Sequence, residues 1–253
     1  MGAGTTRGRW VALAVGVVTL AVAAGAGAGE VRYRIEPGAG RGGDLRARFD
    51  ARQLALLEKL NRRDARSLPR AGELIVPDRW DLDELAYAPL PATLPWAASS
   101  PTALVVHQPG QVFGGYEYGR LVRWGPVSSG AAHDPTPSGL FHLTWRSTGR
   151  HSTVNPEWFM PWYFNFHSRR GLSLHQYVLP GRPASHACIR LLERDARWLY
   201  GWGRGWSFDA RGDVVAGSGT PVLVVGSYDF SAPPPWMSPA WAERGIAPEA
   251  LGP

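Results

Sequence analysis

The sequence predicts a mainly β protein, a sandwich or barrel-like sheet with one helix, preceded by a small α+β module. Three observations predict it. From Ala103 the chain runs in short β-branched or aromatic stretches, "ALVVH", "QVFGGYEYGRLVRW", "GLFHLTW" and "TPVLVVG", each bounded by Gly, Pro, Asp or Ser. Within "LLERDARWLYGW", Leu191, Leu192, Asp195, Trp198, Leu199 and Trp202 recur at mostly apolar three- and four-residue spacing, which predicts a helix. Between residues 31 and 77, strand, helix and strand patterns follow one another.

Taken in order, the chain opens on an export pattern. Arg7 and Arg9 precede an apolar run over residues 10–24, and Ala26 and Ala28 satisfy an A-x-A cleavage site. Residues 1–28 therefore read as a signal peptide, placing the remainder outside the cytoplasm, in the periplasm or cell wall. An uncleaved anchor is the other reading, since the run approaches the ~18–20 residues of a membrane span; membrane contact is expected only in that case. Next, "VRYRIEPG" is a strand closed by a Pro-Gly turn. "DARQLALLEKLNRRD" sets Leu54, Leu57 and Leu60 on one helical face, and "AGELIVP" supplies a second strand. Residues 78–100 read as a linker, residues 101–227 as the main domain, and residues 228–253 as a Pro-rich tail lying loosely on the surface.

Composition narrows the partners. A content of 44% hydrophobic residues with 12 Trp provides ample core. The formal charge of +6 becomes +4 once Arg7 and Arg9 leave with the signal (6 − 2 = 4). That dispersed excess, with no compact basic run, argues against nucleic acid and suits an acidic polymer such as a cell wall.

Export gives the single cysteine its meaning. Cys188 has no intramolecular partner, so in an oxidising compartment it points to intermolecular pairing or a free reactive thiol, with an inert buried cysteine as the plainer reading that the neighbouring His186 weakens. In "SHACIRL", His186 and Cys188 share one side of an extended chain, because side chains alternate there. An imidazole beside a thiol can take its proton. Arg190 keeps the same parity and adds positive charge. Ala187 is small enough to let nearby amides form an oxyanion hole. A zinc site from His175, His186, Cys188 and His167 is the competing chemistry; Arg190 and the lack of a carboxylate or second cysteine at suitable spacing weigh against it. Trp158, Phe159, Met160, Trp162, Tyr163, Phe164 and Phe166 show little strand periodicity and read as a lid that excludes water, with the Tyr163 hydroxyl offered to the oxyanion hole.

Two resemblances follow from these residues. The order strand, helix, "LN", "G-x-L-I-V-P" in residues 31–77 resembles a degenerate LysM module, a glycan-binding fold. "H-Q-Y-V-L-P-G-R-P-A-S-H-A-C-I-R-L", from His175 to Leu191, resembles the active-site signature of the YkuD-type L,D-transpeptidases, and "VSSG…PTPSGLFHL" and "GTPVLVV" resemble flanking strands of that family. Ala187 stands where glycine is usual and Gln176 where another glycine is common.

The resemblance implies a YkuD-like catalytic domain that acts on peptidoglycan stem peptides. Cys188 would attack the third stem residue and form a thioester. His186 would manage the protons, Arg190 would organise the pocket, and a carbonyl near His175–Gln176 would orient His186. Ser185, Gln176, Ala187 and Tyr163 would orient groups or stabilise the oxyanion. A neighbouring stem's amine, or a lipoprotein lysine, would resolve the thioester, and no metal or organic cofactor is implied. Water or a free D-amino acid as acceptor, or an inactive wall-binding protein, are the alternatives.

Overall fold

Alternation along a single strand organises the molecule. In β3 (Ala103–His107), Ala103 and Val105 face one apolar cluster while Leu104 and Val106 face another, and all four are buried. A strand buried on both faces reads as an unbroken apolar run, which is what "ALVV" is. The computed structural model describes residues 1–2, 31–40 and 43–253; the expected signal peptide lies outside them but for its first two residues. No helix among the described residues is long and apolar enough to cross a membrane.

The N-terminal part is β1 (Tyr33–Pro37), α1 (Ala51–Leu60) and β2 (Glu73–Pro77), with β1 and β2 paired antiparallel. Asp50 and Gln53 cap α1 reciprocally: each side chain accepts from the other's backbone N–H.

The nine remaining strands form one mixed sheet. They are β3, β4 (Val112–Glu117), β5 (Arg120–Ser128), β6 (Gly139–His142), β7 (Arg146–His151), β8 (Phe159–His167), β9 (Leu172–Gln176), β10 (Ile189–Leu191) and β11 (Pro221–Val225). Their order is β6-β11-β3-β4-β5-β10-β9-β8-β7. The expected sandwich or barrel is thus a single curled sheet, curled far enough that Phe141 of β6 packs edge-on against Phe166 of β8, with ring centres 5.4 Å apart. "YEYGR" is the β4–β5 turn: Tyr118 and Gly119 have φ of 47° and 73°, the pair of left-handed residues that matches strand twist.

Helix α2 (Glu193–Trp202) follows β10, and its Ala196 and Leu199 join the inner core with Leu104, Phe164 and Leu191. The outer face is covered differently from expectation. Leu56, Leu60 and Ile75 from the N-terminal part, Tyr87, Leu90 and Leu94 from residues 78–100, and Ile246 and Leu251 from the tail form one cluster with Val105, Tyr116 and Trp124. The tail is therefore not loose. It includes α3 (Pro239–Arg244), buries Trp236, and donates Ile246 N–H to the Pro89 carbonyl at 2.7 Å. The reason is physical: a sheet apolar on both faces needs two covers, and α2 supplies one.

The aromatic block also differs. It lies largely in β8, paired with β7 and β9, and is not a lid. Trp162, with φ of 54° inside the block, and a register shift between Asn165 and His167 at its end blur the period of two.

Candidate active site

Cys188 sits immediately before β10, the strand held between β5 and β9. Parallel pairing sets Ile189 opposite Leu174 and Arg190 opposite His175. On β9, Ser173 and His175 share a face, and that face meets the thiol. The Ser173 hydroxyl contacts Cys188 Sγ at 3.5 Å.

The turn carrying the thiol is not extended. Ala187 has φ of 60°, the left-handed region that a Cβ disfavours. It is held there from both sides: its N–H donates to the Asp134 carbonyl at 3.1 Å and its carbonyl accepts from Thr136 Oγ1 at 2.9 Å. Ser185 N–H donates to the Ser129 carbonyl at 3.1 Å, and the Ser185 hydroxyl donates to the Cys188 carbonyl. Residues 129–136 thus brace the turn.

This geometry corrects several expectations. The bend breaks the parity argument, and among the described residues neither His186 nor His175 hydrogen-bonds to Cys188, whose thiol meets Ser173 instead. The His186 ring packs 4.8 Å from Trp158 and 5.7 Å from His133, with its Nδ1 buried and unpartnered. The Gln176 carbonyl orients His175, not His186: it accepts from His175 Nδ1–H at 3.0 Å. The Ala187 amide is occupied by Asp134 and offers nothing to an oxyanion. Nor does Tyr163, whose hydroxyl donates to the Gly171 carbonyl and accepts from Asn165 Nδ2, both at 3.1 Å.

Electrostatics follow from burial. His175, 4% exposed, has its pKa pushed down to about 4 by desolvation, a trend the Gln176 bond opposes and the Arg190 charge reinforces. Burial pushes the Cys188 thiol up; hydrogen bonds from Ser173 and the charge of Arg190 pull the other way. Arg190 lies over the Tyr177 ring, 4.7 Å from its centre.

A cavity of about 240 Å³ opens on these groups, lined by Cys188, His175, His186, Ser185, Arg190 and Tyr163 among others. Among the described residues no three His, Cys, Asp or Glu side chains converge as metal ligands; His167 packs on Phe141 instead, 5.3 Å between ring centres. Sequence reasoning missed Ser173, whose signal was its two-residue offset from His175. It also gave no role of its own to Trp158, which lies before β8, lines the cavity and contacts His186.

With the thiol, imidazole and cavity in one place, comparison with known proteins becomes informative. The YkuD family profile, described as the L,D-transpeptidase catalytic domain, matches residues 101–224. Residues 101–224 belong to that family. The matched span runs from the residues just before β3 to the penultimate residue of β11, so β7, β8, β9 and β10, which frame the cavity, lie inside the YkuD domain. Similar solved structures include an L,D-transpeptidase from Stackebrandtia nassauensis, at 22% identity and TM-score 0.42, covering 51% of this chain and 58% of that one. Another is from Xylanimonas cellulosilytica, at 26% identity and TM-score 0.46, covering 70% and 80%. A third, from Mycobacterium tuberculosis H37Rv, has 21% identity and TM-score 0.38, covering 61% and 72%. The chain thus spans 58% of the length of the Stackebrandtia structure. A search of curated proteins returns no match.

Proposed function

We propose that the protein is an exported cysteine acyltransferase that works on peptidoglycan stem peptides. The observation that carries the reading is the state of His175. Its Nδ1–H is donated to the Gln176 carbonyl, which leaves Nε2 as the ring nitrogen free to take a proton; burial favours the neutral ring, and His175 lines the same cavity as Cys188. A neutral base beside a protonated thiol is a general-base pair, not a preformed ion pair. The role that spacing and the family resemblance gave to His186 passes to His175.

The steps follow. As Cys188 Sγ attacks the carbonyl of the third stem residue, His175 Nε2 takes the thiol proton. The tetrahedral intermediate collapses by breaking the bond to D-alanine, and His175 returns the proton to the departing amine. The acyl group remains as a thioester. An incoming amine attacks it, passes a proton to His175, and releases a new amide, with the thiol restored. An amine from a neighbouring stem gives a 3→3 crosslink, and a protein lysine gives a tethered protein. Trp158 stands on the cavity wall beside His186, placed to keep water from the thioester and so favour an amine acceptor.

Mass spectrometry after carbapenem treatment, with Cys188→Ala alongside, tests the nucleophile. One acyl adduct on the wild type and none on the variant are expected. Muropeptide analysis of wall digests then reports the acceptor: new crosslinks support transfer, and tripeptides alone would show hydrolysis.

A further inference from the structure

The cavity beside Cys188 carries charge of one sign. Arg150, Arg170 and Arg190 line it, and no aspartate or glutamate does. Arg170 lies 3.8 Å from Asp134. Arg150 and Arg190 form no ion pair among the described residues. Arg150, on β7, is held by aromatic rings: its guanidinium carbon is 5.2 Å from the centres of both Trp145 and Tyr163, which themselves stack at 4.9 Å. Its one hydrogen bond runs from Nε to the His151 carbonyl at 3.4 Å. A guanidinium packed on rings, with both Nη groups uncommitted, is prepared for a planar bidentate partner such as a carboxylate.

Two of these arginines approach the cavity from different strands, and Arg190 already donates from one Nη to the Val178 carbonyl at 3.5 Å. Arg190 lies two residues beyond the nucleophile, where the terminal D-alanine carboxylate would leave. Arg150 comes from the β7 side and is free to serve a second anion. We infer that Arg150 binds a carboxylate on the side chain of the third stem residue, making the donor a stem with a dicarboxylic diamino acid (diaminopimelate) rather than lysine. The inference rests on the transpeptidase reading above. A lysine side chain would bring only its ammonium to this part of a cavity lined with cations; a diaminopimelate side chain brings a compensating carboxylate as well.

The test measures D-alanine release by the full chain from four soluble tetrapeptides. Their third residues are diaminopimelate, its side-chain carboxamide, L-lysine, and diaminopimelate in a stem ending in D-alaninamide. The wild type is expected to prefer diaminopimelate over the carboxamide and lysine stems about tenfold to a hundredfold in kcat/KM, the range of one charge-assisted hydrogen bond. Arg150→Gln should collapse that preference, and Arg150→Lys should restore part of it. The penalty for D-alaninamide should persist in Arg150→Gln, which separates the third-residue carboxylate from the terminal one.

Equal wild-type rates on the diaminopimelate and lysine stems would overturn the inference. So would an Arg150→Gln variant, folded by its melting curve, that slows all four stems by one factor. Carbapenem acylation of Cys188 with equal release, or no release, overturns the inference alone. Absence of both acylation and release overturns the transpeptidase reading as well.

Discussion

Ala187→Gly should stabilise the protein. The residue before the nucleophile has φ of 60°, and an L side chain in that region costs about 1–2 kcal/mol. Glycine removes that cost but adds roughly 0.5–1 kcal/mol of unfolded-chain entropy. The difference runs from about 0 to 1.5 kcal/mol, a net gain of about 0.8 kcal/mol at its centre. For a chain of this length it should raise Tm by about 1–4 °C. Position 187 contributes its backbone N–H and carbonyl to Asp134 and Thr136, and glycine keeps both, so acylation by a carbapenem should stay within about threefold of wild type. Ala187→Val is the opposing arm. A β-branched residue is a genuine outlier at positive φ, and the site is 1% exposed, so a loss above about 2 kcal/mol is expected. Thermal melts of the three proteins, read beside acylation rates, decide the matter. A lower Tm for the glycine variant, or a valine variant as stable as wild type, would refute the left-handed turn and the brace argued from it.

Three further outcomes follow from the same geometry. His175→Ala should cut carbapenem acylation by about a hundredfold or more, the usual share of a general base, and His186→Ala by much less; rapid-mixing acylation kinetics with the reverse ranking would return the proton to His186. The folded pKa of about 4 for His175 lies below an unfolded value near 6.5, so the unfolded chain binds the extra proton in between. Its contribution is fully present above about pH 6.5 and is lost as pH falls towards 4, up to about 3 kcal/mol, and denaturant melts at stepped pH should show stability declining over that window. Leu60→Ala, in α1, should cost about 2–5 kcal/mol, as for a residue of the sheet's own core, because Leu60 is 5% exposed in a cluster with Trp124; a loss near zero in urea melts would make residues 31–77 an appendage.

Much of this was legible in the residues. The apolar run of Ala103–His107, the Tyr118–Gly119 turn and the spacing of α2 follow from period and turn chemistry. The thiol and both histidines were found from one motif. What failed were statements that needed register or φ. The parity of His186 and Cys188 assumed an extended chain, and the left-handed Ala187 overturned it. Ser173 reaches the sulfur only because β9 and β10 pair in parallel with Leu174 opposite Ile189, a relation between distant segments that local patterns do not encode. The tail's burial depended on which face of the sheet was left uncovered, and that is known only once the sheet is assembled.

The loop from β9 to β10 joins the base to the thiol, and the N-terminal part grips it midway. Asp64 N–H donates to the Leu179 carbonyl at 3.1 Å, Leu179 N–H donates back to Asp64 Oδ2 at 2.8 Å, and Arg63 bridges to Pro180. Any excursion that pulls the imidazole away from the sulfur by way of this loop must first open that clasp. A segment that supplies no reacting atom thereby helps hold the loop between base and thiol in place. Asp64 Oδ1 also accepts from the Arg66 and Ser67 N–H groups, so Asp64→Ala should lower both the melting temperature and the rate of acylation.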